Sequence, residues 1–346
     1  MAFSHPPLAS PYYEATQPIL SLLRGRSSAE EVMSHLDILR TSLESNPSAP
    51  HPFMSIDALM RSIATQSLLS IGSRSFSHLL NAIERYLLLL RGIANPNSVQ
   101  GGGDTTEAKM DILGAVFVFW KRNRHIIGIV FDKLMQYQIV DPTDIIALTF
   151  MNSAGSGGGD GARLLSVGAF EWDLIKGALD KANGRVMVAR RKVAALRKEQ
   201  DESIARVKAS GGADVASMEV DAEVKPLKQG MGAFPSCVSC VDVWLCVDDS
   251  AESPQLVTAL KAFASLTREQ KGALSRTIEG FVSCLAPSPG DAHQNPYGQS
   301  VIGDGAWDQR QTWSNDEWKT WETWGWYRHF CRTVCLFLSF GTLGLV

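Results

Sequence analysis

The sequence predicts an all-α protein, organised as an α-solenoid or irregular stack of antiparallel helix pairs from which one helical hairpin projects. Three observations support this fold class. Apolar residues recur at helical spacing through most of the chain, short polar or proline-rich turns separate the helical segments, and one stretch near the middle follows a heptad pattern. Segments with the two-residue period of strands are weak, so successive helices must bury their apolar faces on one another.

Residues 13–93 predict four helices. Ser28 and Glu31 have the spacing of a capping box at the start of the second helix, and the proline-rich segment 46–52 ends that helix. The helices and their inner residues are Tyr13–Leu23 with Ile19, Leu22 and Leu23; a helix from Ser28 with Val32, Leu36, Leu39 and Leu43; Ser55–Ile71; and Phe76–Ile93 with Leu79, Leu80, Ile83, Leu87 and Leu90.

The stretch Ala108–Met151 predicts three helices around which the rest of the stack is built. The first two are joined by the short turn Lys121–Arg124, so they fold back antiparallel. The third opens at Asp141, whose carboxylate we expect to accept backbone N–H groups of the first turn, with Pro142 and Asp144 favouring that helix start. The inner residues of the first two helices are Ile112, Val116, Phe119 and Trp120, then Ile126, Ile129, Val130, Leu134 and Met135.

Two glycine runs, Gly101–Gly103 and Gly155–Gly161, interrupt the stack. A phosphate-binding loop needs a preceding strand and a Gly-Lys-Ser/Thr or dinucleotide fingerprint, and neither context is present. We therefore interpret both runs as linkers.

A long helix is predicted from Phe170 to about Lys208, because apolar residues alternate steps of four and three. Its seam consists of Ile175, Leu179, Ala182, Val186, Ala189, Val193 and Leu196. We expect it to pair with a returning arm. The segment that follows, Ser210–Gly232, is polar and low in apolar periodicity. Phe234–Val247 has strand-like residues, and we expect this second segment, an insertion or translated non-coding sequence, to be poorly anchored.

This helix also carries a basic run without an intervening acid. It comprises Lys181, Arg185, Arg190, Arg191, Lys192, Arg197 and Lys198. The run is a candidate surface for phosphate or for an acidic partner. The alternative, which we prefer, is a basic face balanced by acids of the returning arm, for which Asp214, Glu219, Asp221 and Glu223 are available.

The last third predicts a long helix, or two abutting ones, from Ser253-Pro254, and then a tryptophan-rich helix with a Ser314–Glu317 capping box. The inner residues of the former are Leu256, Leu260, Phe263, Leu266, Leu274, Ile278, Phe281 and Leu285. Six tryptophans crowd twenty residues, namely Trp307, Trp313, Trp318, Trp321, Trp324 and Trp326, and those beyond Glu317 lie on the predicted helix as an aromatic band. Stacked indoles can bind a base or a methylated purine, but helical spacing favours core packing. The apolar tail Thr333–Val346 is expected to leave an exposed patch.

Composition and charge exclude several classes of protein. The net charge of −3 excludes a nucleic-acid binder that acts through its overall field, and no apolar run reaches the roughly 20 residues of a membrane span. The first residues lack a secretory signal pattern, so we expect an intracellular protein with reduced thiols.

The sequence predicts no catalytic, cofactor-binding or metal-binding residues, and so no enzyme and no cofactor. Cys237 and Cys240 have the spacing of half a zinc site, but no second pair and no nearby histidine completes it. The remaining cysteines are Cys246, Cys284, Cys331 and Cys335, and the seven histidines are scattered. We interpret the cysteine pair as incidental.

Three stretches resemble the C-terminal helical domain of the large subunit of the nuclear cap-binding complex. Residues 116–150 carry the resemblance most densely, at Trp120, Asp132-Lys133, Gln138–Asp141 and Phe150, without a break in spacing. Residues 62–86 and the stretch TWETWGWYRHFCR at 320–332 are similar to that family as well.

The resemblance implies a HEAT-like stack and a partial chain that keeps the last helical domain of a longer protein. Its expected parts are 1–170 as helical repeats, 171–252 as a coiled-coil arm with an irregular insertion, and 253–346 as closing helices of the first part. It also implies a long helical hairpin at the position of the arm.

The function implied by the resemblance is that of a scaffold in a hetero-oligomer. Its partner would be the small cap-binding subunit, an RNA-recognition-motif protein that holds the methylated guanosine, so capped RNA is bound indirectly and no membrane is involved. The expected location is the nucleus, with shuttling to the cytoplasm, and the expected roles are in splicing, export and decay. The alternative is direct single-stranded RNA binding by the basic arm and the tryptophan band. No partner-binding residue is assigned.

Overall fold

The computed structural model describes residues 13–45, 55–95, 105–155, 166–210, 253–285, 301–302 and 305–342, and every regular element in these ranges is helical. The all-α prediction is therefore confirmed for the described part of the chain. The α-helices are α1 Tyr13–Arg24, α2 Ala29–Glu44, α3 Ile56–Gly72, α4 Phe76–Arg85, α5 Leu87–Ala94, α6 Thr105–Phe119, α7 Arg124–Gln136, α8 Pro142–Gly155, α9 Ala169–Ser210, α10 Pro254–Leu285 and α11 Asn315–Thr342, with a 3₁₀ helix at Ala306–Thr312 before the last.

The chain divides into two compact units. Unit 1 comprises residues 1–181 and 272–346, and unit 2 comprises residues 182–271. Within unit 1, α3 is the central helix, since it contacts α1, α2, α4 and α6, while α6 also contacts α5, α7 and α8. One continuous hydrophobic core runs through this unit from Ile19 in α1 to Phe330 in α11. Helix pairs stacked on a shared core are the arrangement that the sequence predicted.

The capping boxes are confirmed, but one predicted cap is wrong. The Ser28 hydroxyl accepts from Glu31 N at 3.2 Å, and the Glu317 carboxylate accepts from Ser314 N at 2.7 Å. At the start of α8, however, Asp144 accepts from Asp141 N at 2.8 Å, and the Asp141 carboxylate instead bonds Lys109. A lysine on α6 outcompetes backbone amides for Asp141 because its charge makes the stronger hydrogen bond.

The single helix predicted over Phe76–Ile93 is two helices. The break lies at Tyr86, whose backbone leaves the helical region with φ −102° and ψ 29°. Its hydroxyl donates to the carbonyl of Ser27 at 3.1 Å and lies 3.3 Å from that of Leu23, both at the α1–α2 turn. The Tyr86 side chain thus anchors a turn that is distant in sequence. The apolar pattern of residues 76–93 could not predict the helix break, because the break depends on this distant contact.

Unit 2 contains an antiparallel helix pair. Asn183 bonds Gln270 at 3.0 Å and Arg185 bonds Glu269 at 2.7 Å, while further along α9 Val193 packs with Leu256 and Ala259. Residue numbers rise on α9 as they fall on α10, which defines the direction. The predicted seam is confirmed at Val186 and Val193, which are buried. The partner of α9 here is α10; residues 211–232 of the predicted returning arm Ser210–Gly232 lie outside the described residues.

Candidate functional site

The tryptophan band divides into an inner and an outer group. Trp326 stacks on Trp172 of α9, with ring centroids 5.5 Å apart and planes 15° from parallel. Phe281 of α10 lies 5.9 Å from buried Phe330, and Tyr327 lies 5.5 Å from Phe281. This inner group belongs to the core of unit 1. The prediction of core packing is therefore confirmed for Trp326 and Tyr327.

Four tryptophans form a separate outer cluster: Trp307, Trp313, Trp318 and Trp321, with ring centroids 5.0–6.4 Å apart. Trp307 and Trp318 remain 45% and 43% exposed, so the predicted core packing of the helical band is wrong for Trp318. The physical reason is position: the rings come from the 3₁₀ helix, from its C-cap Trp313 and from the first two turns of α11, and they pack on each other, outside the core cluster.

The outer indoles are poorly arranged to bind a base. Trp307 and Trp321 lie in direct contact, 5.0 Å apart at 32°, so no purine fits between them. The Arg310 guanidinium lies 4.8 Å from the Trp307 centroid, and Arg328 lies 5.3 Å from that of Trp321. These cation–π contacts already occupy ring faces on which a base would have to stack.

The basic run on α9 is only partly neutralised. Lys181 pairs with Asp132 at 2.7 Å, and in unit 2 Arg185 pairs with Glu269 at 2.7 Å. Lys198 reaches Glu202 at 3.9 Å. Among the described residues, Arg191 and Lys192 have no hydrogen-bond or ion-pair partner. The acids expected to balance the run, Asp214, Glu219, Asp221 and Glu223, lie outside the described residues.

The described helix pair of unit 2 is therefore locally basic, although unit 2 as a whole has thirteen Lys and Arg residues against twelve Asp and Glu. Across 182–206 and 253–271 the sequence has ten Lys and Arg residues against four Asp and Glu, whereas the whole chain has a net charge of −3. Such an excess attracts polyanions or acidic protein surfaces at a range of roughly 8–10 Å at ordinary ionic strength.

Two exposed apolar side chains on α9 were missed by the sequence reasoning. Met187 is 40% exposed and Val188 is 65% exposed. Both lie off the heptad seam, immediately after the buried Val186. The sequence did offer an indication, because Val186–Ala189 is an unbroken apolar run. The heptad seam accounts only for Val186 and Ala189, which leaves Met187 and Val188 unexplained.

A shallow groove lies on unit 1 between the start of α4 and one face of α7. Phe76, Gly128 and Ile129 form its apolar lining, with His125, Asp132 and Lys133 beside them. The Asp132 carboxylate already accepts from Lys181. The groove contains Asp132 and Lys133, two residues that carry the family resemblance. Its shallow, mostly apolar lining suits contact with another molecule better than catalysis.

The main partly buried charge cluster is structural. Lys109 of α6 pairs with Asp141 and lies 3.5 Å from Asp144 of α8. Burial opposes the charge of Lys109, but the hydrogen bonds and charges of Asp141 and Asp144 outweigh it and raise the lysine pKa. Burial also raises the pKa of Asp144, against the lowering effects of the Asp141 N–H and of Lys109. This cluster joins two helices and opens to no cavity that the structure describes.

The described ranges offer no metal site, and their deeply buried cysteine, Cys284, is not reactive. There, no group of three His, Cys, Asp or Glu side chains could hold a metal ion. Burial raises the pKa of the Cys284 thiol to about 12, so this sulfur is not a nucleophile near neutral pH. Cys237 and Cys240, the run Gly101–Gly103 and residues 156–161 of the second glycine run lie outside the described residues. Of the helices that the structure describes, none has the length and apolarity to cross a membrane.

Comparisons with known proteins give a consistent result. A family model described as "MIF4G like" matches residues 7–335. Similar relatives include proteins named "Nuclear cap-binding protein subunit 1" from Oryza sativa subsp. japonica, 23% identical over 54% of this chain, and from Anopheles gambiae, 28% identical over 37% of this chain. A protein of the same name from Arabidopsis thaliana is 24% identical over 56% of this chain. The matches cover 18%, 15% and 21% of these relatives, so the chain spans about a fifth of their length.

Proposed function

Because the chain belongs to the MIF4G-like family, we propose that it is a non-catalytic helical scaffold of a nuclear messenger-RNA cap-binding complex. The observation that carries the proposal is the single core of unit 1, which extends from α1 to α11. A close-packed core of this size holds the surrounding helix faces in one arrangement before any partner binds. A scaffold needs such a preformed surface, and the names of the relatives supply the kind of complex.

The partner in this proposal is the small cap-binding subunit, an RNA-recognition-motif protein. A rigid surface that binds only the ordered, cap-competent form of a partner stabilises that form by mass action, by about 2.7 kcal/mol when the scaffold is present at a hundred times its Kd. The scaffold would thereby raise the affinity of its partner for the methylated cap without touching the cap. Its links to splicing, export and decay factors, and its location in the nucleus with shuttling to the cytoplasm, are parts of the same proposal.

The test is capture on an immobilised methylated cap analogue. We expect the purified chain to be retained only when the small subunit is present, and we expect it to tighten cap binding by that subunit, measured by fluorescence titration. As a control, the unmethylated analogue should retain neither protein. If the chain fails to join the small subunit on the resin, the proposal is wrong.

A second function, direct binding of single-stranded RNA, is favoured by one observation, the basic run from Lys181 to Lys198 on α9, in which Arg191 and Lys192 have no ion-pair partner among the described residues. It is distinguished by titrating the chain alone with uncapped RNA at several salt concentrations. Binding through phosphates gives a slope of about −0.7 per contacted phosphate in a plot of log K against log salt. Submicromolar binding with a steep slope, together with no retention by the small subunit, would establish this second function in place of the first.

A further inference from the structure

The outer face of α9 in unit 2 combines exposed apolar and basic side chains in two parallel rows. One row is Met187, Arg191, Ala194 and Lys198, and the other is Val188, Lys192 and Ala195. Members of each row follow one another at steps of three or four residues, so they lie above each other on one side of the helix. All seven side chains are exposed.

This face is distinct from the seam that holds unit 2 together. Val186 and Val193 are buried, and Val193 packs against Leu256 and Ala259 of α10. Met187 and Val188 directly follow the buried Val186. Their side chains are therefore rotated from it by about 100° and about 200° around the helix axis. A single exposed valine is ordinary on a protein surface. Here Met187 and Val188 lie side by side, and two turns further along the same face Ala194 and Ala195 are small enough to let another helix approach closely.

The charges beside these apolar residues define the chemistry of an occupant. Arg191 and Lys192 have no ion-pair partner among the described residues, and residues 182–206 and 253–271 include ten basic side chains against four acidic ones. A partner that covers Met187 and Val188 must bring apolar side chains, and one that lies along Arg191, Lys192 and Lys198 must bring carboxylates. Binding to a phosphate backbone would use the cations but would leave the apolar side chains in water.

We propose that this outer face of α9 binds an acidic amphipathic α-helix of a partner protein, which lies alongside the helix pair of unit 2 as a third helix. Leucine-like residues of the partner pack on Met187 and Val188 and, two turns further along, on Ala194 and Ala195. Its Glu or Asp residues, one turn apart, pair with Arg191, Lys192 and Lys198. Because only two large apolar side chains are exposed on this face, we expect weak binding whose association rate is raised by long-range charge attraction.

The experiment measures binding of the full chain to a labelled four-heptad peptide with Leu at its two core positions and Glu at the flanking ones. A peptide with Lys in place of Glu is the matched probe, and oligouridine is the polyanion without apolar side chains. We expect the acidic peptide to bind and the basic one not to bind. We expect Val188→Ser to weaken binding about tenfold through lost apolar burial, and the double change Arg191→Glu with Lys192→Glu to abolish it.

The matched control is Val118→Ser on α6, at a valine that is 62% exposed against 65% for Val188; it should leave peptide binding unchanged. Circular dichroism of each variant verifies that the helices are retained. The proposal is overturned if the full chain does not bind the acidic peptide, or if Val188→Ser binds it as tightly as the unaltered chain. Oligouridine binding that is lost with the two cations but unaffected by Val188→Ser, without peptide binding, would assign the face to nucleic acid instead.

Discussion

Gly280 in α10 is the tightest packing position among the described glycines. A Cβ built there would lie 2.2 Å from Cδ2 of Phe150, whose ring packs edge-on against Phe281. Gly280→Ala must therefore displace a ring held by the core, and we expect it to lower the free energy of unfolding by about 1–3 kcal/mol, measured by urea denaturation.

The control for that change is Gly114→Ala in α6, where a Cβ meets nothing within 4 Å. Because alanine restricts the unfolded chain and favours helix, this variant should be stabilised by about 0.5–1 kcal/mol. Equal effects of the two substitutions would contradict the contact between Gly280 and Phe150.

Lys109 supplies the second prediction at the scale of residues. Its pKa is raised in the folded protein, so the stability it contributes is present at neutral pH and is lost as pH rises through that raised value. We expect Lys109→Met to cost about 1–2 kcal/mol at pH 7, since the lysine is partly screened by water and Asp144 is left without its cation.

The pH dependence of the Lys109→Met variant has a definite sign. Burial raises the pKa of Asp144, and removal of the lysine raises it further, so protonation at lower pH relieves the unpaired charge. Urea unfolding at pH 7 and pH 5 should therefore show a smaller loss at pH 5. Adding Asp144→Asn should recover part of the loss at pH 7, and a loss that grows on acidification would refute this assignment.

At the scale of elements, unit 2 depends on few apolar contacts. Its core cluster comprises Val193, Leu256 and Ala259, with Leu196, Leu260 and Phe263 packed against them. We expect Val193→Ala to cost about 1.5 kcal/mol, since it removes two buried carbon groups. Hydrogen exchange should accelerate in α9 and α10 across unit 2, while α3 amides remain protected.

The neighbouring exposed position provides the control for that element. Val188→Ala changes the same side chain type on the solvent side of α9, and should alter exchange little. Acceleration of equal size in α3 would show that the two units do not open separately.

Sequence patterns predicted helix starts well because caps are local. Ser28 with Glu31 and Ser314 with Glu317 form their hydrogen bonds within a single turn. The patterns failed where a contact with a distant residue determines the local structure. The helix breaks at Tyr86, whose hydroxyl bonds the carbonyl of Ser27, and the Asp141 carboxylate bonds Lys109 instead of capping α8. The seam on α9 indicated which side is buried, but it did not identify α10 as the partner.

At the scale of the whole molecule, the resemblance to the cap-binding family predicted more than the residue patterns did. It predicted the family, which the match over residues 7–335 shows. The candidate surfaces were predicted less well from the sequence, because the exposure of a side chain depends on which helices pack beside it in the folded chain. Helical spacing assigned the tryptophan band that begins at Trp318 to the core, whereas Trp318 is 43% exposed and Trp326 packs against the core. The outer face of α9 could be found only once its inner face had been matched to α10.

The outer tryptophan cluster also gives the protein a built-in optical reporter. Four indoles within 5.0–6.4 Å couple their electronic transitions, and most of their mutual orientations lie far from parallel. Such coupling should produce a paired positive and negative band in the ultraviolet circular dichroism spectrum. The band would vanish when the start of α11 melts, so local loss of order at this end of the chain becomes visible without any label.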